Sequence, residues 1–225
     1  MGKTILVTGK EGFLGNEISQ HFLNQGCRVA ASVAPRKEAF PSVDPDRKLL
    51  LFPWNRRSAV AAKNFLLQAL QEFETLDEAW VVVTADREAF GLGELAPLAL
   101  DEALDSGPKG TLYLVRELLQ RQAAFPNLVL RFVFFDEDPA NLPPLAALHY
   151  QGLKAVVNTL LSQARKRNLP IWAYESLVPR TEEFLTFLFS SKVAQAGRWN
   201  VLGEKKTLRD NLSALNPFSS RKETP

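Results

Sequence analysis

The sequence predicts a doubly wound α/β chain with a parallel sheet of about seven strands in a single domain. Three observations predict it. Short apolar runs rich in Val, Ile and Phe recur along the 225 residues, longer segments with helical spacing separate them, and a glycine-rich turn joins the first run to the first helical segment. The runs are almost continuously apolar, as strands covered on both faces must be. Strands are expected at 4–7, 28–32, 48–52, 79–84, 128–135, 170–176 and 199–202. Helices are expected at 15–25, 58–73, 97–122, 149–167 and 181–190, with Gly26 and Asn168-Leu169-Pro170 as stop signals. From Glu204 the chain turns polar, so a domain over 1–203 followed by a polar tail or docking arm over 204–225 is expected.

Composition excludes several classes of function. With 27 Lys+Arg against 25 Asp+Glu, the chain lacks the concentrated basic excess that nucleic acid or anionic lipid demands. A single cysteine, Cys27, cannot form an intramolecular disulfide, and His21 and His149 stand far apart, so no metal site is expected. The opening residues hold too short an apolar run for a signal sequence, and no run approaches membrane-spanning length. The expectation is a soluble, cytoplasmic protein without membrane contact.

The first strand-to-helix turn reads Thr8-Gly9-Lys10-Glu11-Gly12-Phe13-Leu14-Gly15. Glycines at 9, 12 and 15 allow a tight turn, close approach of backbone to a pyrophosphate, and close packing of helix on sheet. The helix N-terminus offers its free N–H groups to the anion. This makes the expected fold Rossmann-like. The end of the second strand selects between dinucleotides, an acid there bonding a ribose 2′-hydroxyl and a base facing a 2′-phosphate. Here it reads Ala31-Ser32-Val33-Ala34-Pro35-Arg36-Lys37. Arg36 and Lys37, with Lys10, favour NADP(H); read as ordinary solvated loop charges they leave NAD, or no cofactor, open.

Tyr150 and Lys154 stand four residues apart near the expected start of the fifth helix, on one helix face. There an ammonium lowers the pKa of a neighbouring phenol and helps it exchange a proton with a carbonyl or alcohol oxygen. His149 beside them is expected to cap or flank the helix start. Trp54, Trp80, Trp172 and Trp199 lie in or beside strands, where core packing is expected.

Taken together these residues make the chain resemble the short-chain dehydrogenase/reductase family over nearly its full length. Thr8-Gly9-x-x-Gly12-x-x-Gly15 looks like the family's cofactor turn in the spacing of its extended members, and Tyr150-x-x-x-Lys154 looks like its catalytic pair. Softer likenesses are Leu76–Val82 at the approach to the fourth strand, Lys109-Gly110-Thr111 in the long crossover helix, and Val178-Pro179 after the sixth strand. The resemblance implies cofactor contacts from the glycine turn (Gly9, Lys10, Gly12, Phe13, Leu14, Gly15), from Arg36 and Lys37, from Trp54, and from Thr84 and Ala85.

The departures from the family pattern carry as much information. The stretch that holds a substrate-binding Ser in active members reads Phe135-Asp136-Glu137-Asp138, with no hydroxyl. Thr84-Ala85-Asp86 replaces the family's Asn-Ala-Gly, Trp54-Asn55 replaces the adenine-contacting Asp, and the crossover-helix Asn falls at about Gly107. Pro179 is followed at once by Arg180-Thr181-Glu182, so the substrate-covering segment of typical members is absent. Loss of an oxyanion-type donor alone leaves a slower but working enzyme; here several parts differ together. The leading expectation is a dinucleotide-binding protein with lost or much reduced redox activity, acting as a cofactor-sensing or structural subunit. The alternative is an NADPH-dependent reductase with an open site, similar to the family's dihydropterin or carbonyl reductases, using Tyr150 and Lys154 without the Ser. In a variant of it, protonated Glu137 or Asp136 takes the place of that Ser.

Association forms a third expectation. In the resembled family the crossover helix and the Tyr–Lys helix pack against a neighbouring subunit. Leu100, Leu104, Leu112, Leu114, Val115, Leu118 and Leu119 on 97–122, with Val156, Val157, Leu160 and Leu161 on 149–167, exceed one inward stripe. A homodimer, or a heteromer with an active paralogue, is expected through these helices.

Overall fold

The computed structural model describes residues 2–35, 41–44, 46, 48–85, 93, 96–125, 127–138, 141–190 and 195–203. Arg36, Lys37, Asp86 and the expected tail over 204–225 lie outside the described residues. One eight-stranded sheet organises the chain, in the order β3-β4-β2-β1-β5-β6-β7-β8. Its strands are β1 (Thr4–Val7), β2 (Arg28–Val33), β3 (Ser42–Val43), β4 (Leu49–Pro53), β5 (Glu78–Thr84), β6 (Val129–Phe135), β7 (Ile171–Ser176) and β8 (Trp199–Leu202). Every pairing is parallel except that of β3 with β4. The antiparallel edge strand β3 is an addition to the seven expected strands. Its two exposed residues hold no apolar run to betray it.

Helices α1 (Phe13–Asn24), α2 (Ala59–Phe73), α3 (Pro97–Leu104), α4 (Gly110–Ala124), α5 (Pro144–Arg167) and α6 (Thr181–Phe189) flank the sheet. Ser58 caps α2, its hydroxyl accepting the Ala61 N–H at 3.1 Å. The segment expected as one helix over 97–122 contains a π-helical turn, Asp105–Lys109, built around Pro108, which lacks the N–H that regular α-helical bonding needs. Helix α5 starts five residues before the expected 149, because Pro144 occupies its first turn, where proline's fixed φ favours helix entry. His149 and Tyr150 therefore lie inside the helix and do not open it.

Alternation along the strands splits the core into two layers. Leu6, Ala30, Leu50, Val81, Phe132 and Phe134 face α2, α4 and α5. Ile5, Val7, Val29, Trp80, Val133 and Tyr174 face α1 and α6. The second layer also holds charge. The Glu78 carboxylate binds the Lys3 ammonium at 2.9 Å and the Arg131 guanidinium at 2.8 Å, and accepts the Trp80 indole N–H at 3.3 Å. Arg131 lies over the rings of Trp80 and Trp172, at 5.1 and 5.0 Å. Burial alone would raise the Glu78 pKa; the charges and hydrogen bonds of Arg131 and Lys3 outweigh it and hold the group below its ordinary value.

Two outcomes follow for Glu78. Replacement by Leu strands the Arg131 guanidinium and costs about 3–5 kcal/mol, read from urea unfolding. Because the folded-state pKa is depressed, the Glu78 contribution is complete at neutral pH and disappears as pH falls below the ordinary carboxylate range. The acid limb of the stability curve is accordingly shallower in Glu78→Gln than in the parent.

Candidate functional site

Strand order reverses at β1, which lies between β2 and β5. In open α/β sheets the crevice at the carboxyl ends of the strands on either side of such a switch point takes ligands. The Thr8–Gly15 turn sits at that crevice. Thr8 ties it to β5: its N–H donates to Trp80 O at 3.0 Å, and its hydroxyl accepts the Val82 N–H at 2.8 Å. Ser32 at the end of β2 ties it from the other side, accepting the Gly9 N–H at its hydroxyl and the Lys10 N–H at its carbonyl, each at 3.0 Å.

Within this frame two glycines are required. Gly9 has φ +70°, the left-handed region that disfavours side chains. At Gly15 a Cβ would stand 2.2 Å from the Gly9 carbonyl oxygen, backbone that cannot give way, so only glycine lets the helix pack there. Gly12 precedes α1 in extended conformation with no side-chain cap, and no acid occupies the first helical turn. The first N–H groups of α1 thus have no acceptor within the helix or from its cap. Gly12, Phe13 and Leu14 line a cleft of about 610 Å³ whose other walls are Thr84, Ala85, Phe135, Asp136, Glu137 and Thr181. An uncapped helix start, backbone bare of Cβ atoms and a cleft in front of them fit a dinucleotide pyrophosphate.

A second cleft, of about 390 Å³, lies beyond Glu11 and Ser32 and is lined by Trp54, Asn55, Arg56 and Arg57. Trp54 is 2% exposed, stacks near Phe65, and carries the Arg56 guanidinium over its ring at 5.1 Å. Its indole N–H is buried without a hydrogen-bond partner. Lys10 turns its ammonium to Asn16 on α1, at 2.8 Å.

The glycine turn, Thr84 and Ala85 thus share one cleft, and Trp54 stands at its neighbour. Tyr150 lines neither. Its ring is 1% exposed and packs edge-on against Phe134 of β6 in the core, and its hydroxyl has no hydrogen-bond partner. Lys154, one turn on, binds the buried carboxylate of Glu175 on β7 at 2.5 Å and lies over the Trp199 ring of β8 at 5.5 Å. The expected lowering of the phenol pKa by Lys154 is reversed: burial, with the negative charges of Glu175 and Asp136, pushes Tyr150 far above the ordinary phenol value.

Sequence reasoning missed Glu175. Its signal was a lone acid inside the apolar run Ile171-Trp172-Ala173-Tyr174-Glu175-Ser176. Gly107, at the position where the resembled family carries an Asn, sits in the π-helical turn, and a Cβ there would meet the His149 ring at 3.5 Å. The connection from β7 to α6 is residues 177–180 and holds no covering segment.

Fold, switch point and glycine cradle together define the class: the chain has the fold of the short-chain dehydrogenases/reductases. It superposes on a short-chain dehydrogenase from Bacillus anthracis with a TM-score of 0.69, at 14% identity, covering 89% of this chain and 94% of that one. A short-chain dehydrogenase/reductase from Serratia marcescens gives 0.66 at 18% identity, covering 90% and 96%. An NADH-dependent reductase, A1-R′, complexed with NAD gives 0.66 at 12% identity, covering 89% and 95%. No protein-family profile and no curated protein sequence matches the chain. Among the described residues no group of His, Cys, Asp and Glu could hold a metal ion, and no helix is long and apolar enough to cross a membrane.

Tyr150→Phe tests the placement of the phenol. Removing a buried, unpartnered hydroxyl is expected to raise stability by about 1 kcal/mol in thermal unfolding, where a hydrogen-bonded phenol would show a loss and a water-exposed one no change.

Proposed function

We propose that this protein binds a nicotinamide dinucleotide and has lost, or retains little of, the redox activity of its fold, acting as a cofactor-sensing or structural subunit. One observation carries the reading. The glycine turn keeps the geometry that suits a pyrophosphate, while the phenol that would exchange a proton with substrate is buried away from the cleft and its lysine is engaged by Glu175. When bound, such a cofactor supplies a hydride. Gly9, Gly12, Phe13, Leu14 and Gly15 would hold its phosphates, Thr84 and Ala85 would line its nicotinamide end, and Trp54 would floor its adenine end. Lys10, Arg36 and Lys37 would favour NADP(H) over NAD.

A second reading keeps the enzyme. The short 177–180 connection leaves the larger cleft open on the α6 side, which suits a flat or bulky substrate for an NADPH-dependent reductase using Tyr150 as acid with Lys154 beside it. For this the phenol must leave its core position. As for association, Leu114, Val115, Leu118, Val157 and Leu161 are buried within the subunit, while Leu98, Leu112 and Leu148 remain exposed on the helices proposed to meet a second copy or a paralogue. A soluble protein working in the cytoplasm accords with this reading.

Fluorescence titration with NADPH and NADH tests the proposal directly. Saturable binding is expected, tighter for NADPH and lost in Gly15→Ala, with no oxidation of the bound cofactor by small carbonyls or quinonoid dihydropterin. Failure of both dinucleotides to bind would overturn the reading, and turnover abolished by Tyr150→Phe would replace it with the enzyme. Light scattering is expected to give a mass above the monomer.

A further inference from the structure

The Lys154 ammonium has two places to go. Toward the phenol of Tyr150, one helical turn away, it would act as the electrostatic partner of a proton-exchanging group. In this structure it instead reaches Glu175, whose side chain is only 7% exposed on β7, and settles against the Trp199 ring of β8. A buried carboxylate without a counter-charge is costly, so Glu175 holds its cation firmly. Tyr150 is left with no hydrogen-bond partner, packed on Phe134, and the charges that bear on its hydroxyl, Glu175 from β7 and Asp136 from the end of β6, are both negative. His149 precedes it on α5 and lies against Gly107 of the π-helical turn.

We propose that Glu175 is a positioning residue that silences the Tyr150–Lys154 pair, by binding the Lys154 ammonium and keeping it on the β7–β8 side of the helix. The proposal rests on the reading of this pair as the remnant of a redox site, and it locates the loss of activity in one carboxylate as well as in the missing serine. It implies that Lys154 is freed to serve the phenol once that carboxylate is replaced by an uncharged side chain.

The full-length chain has three tyrosines, so each can be followed separately. With 3-fluorotyrosine incorporated, phenol ionisation moves into an accessible pH range, and the fluorine resonance of Tyr150 is assigned by its disappearance in Tyr150→Phe. In the parent protein Tyr150 is expected to ionise well above the value of free 3-fluorotyrosine. In Glu175→Gln its midpoint is expected to fall by about one pH unit or more, the size of shift that an opposite charge a few ångströms away produces. Adding Lys154→Met to Glu175→Gln is expected to return at least half of that fall, because the freed ammonium causes it. Glu175→Met carries the same expectation should the glutamine variant not fold. A Tyr150 midpoint in the Glu175 variants equal to the parent's overturns the proposal. So does a double variant that ionises where Glu175→Gln does, since Glu175 would then act only through its own charge. A parallel NADH and NADPH fluorescence titration of the parent keeps the two readings apart. Absence of binding sinks the dinucleotide reading, whereas the ionisation series alone decides the role of Glu175.

Discussion

A parallel sheet covered on both faces has little water to offer a charge, so a carboxylate buried on its strands must find an opposite charge inside. That constraint shapes this molecule more than any single apolar contact. Glu78 on β5 meets Arg131 on β6 and Lys3 ahead of β1, joining the three elements at one end of the sheet. Glu175 on β7 meets Lys154 on α5 near the other end. The first network stays inside the structure and stabilises it. The second draws its cation from the helix that also carries Tyr150, so a demand of folding fixes where the Lys154 ammonium lies.

The glycine turn obeys a different constraint, steric and local. Gly15 must lack a Cβ because the Gly9 carbonyl stands where one would be, and Gly9 must lack one because its backbone is left-handed. These requirements hold with or without a ligand. What would suit a ligand is the combination with an uncapped helix start and a cleft of ligand size at the reversal of strand order. A tight turn made only for packing would be expected to satisfy its own N–H groups.

The legibility of the sequence follows the range of the interactions involved. Strands β1 and β8 fall where the apolar runs place them, and the other five expected strands are within a residue or so at each end, because burial on both faces writes itself directly into composition. The two-residue edge strand β3 and the π-helical turn at Pro108 leave no such periodic trace. The glycine turn was legible because its geometry is local. The Tyr150–Lys154 pair was legible as a spacing but misleading as an environment: i to i+4 places two side chains on one face of a helix without deciding which of them meets the other. The answer depended on Glu175, 21 residues later and on another element. Arg131 and Glu175 are each a lone charge inside an apolar run and Glu78 stands at the head of one, a signal that a partner is needed but not of which partner.

The glycine turn and the Tyr150–Lys154 pair occupy separate parts of this fold, and that separation is what makes the proposed binding without redox activity physically reasonable. The groups suited to a pyrophosphate are backbone N–H groups at the β1–α1 turn, fixed by Thr8, Ser32 and two glycines. Tyr150 and Lys154 ride on α5 and are set by contacts with β6, β7 and β8. Burying Tyr150 and pairing Lys154 therefore leave the cradle undisturbed. A ligand held in that cradle would still stabilise the chain in proportion to its occupancy, by about 2.7 kcal/mol at a concentration one hundred times its dissociation constant. Coupling of that size is enough to shift a subunit equilibrium of a few kcal/mol, so under the proposed function a dinucleotide held there could be reported without turnover.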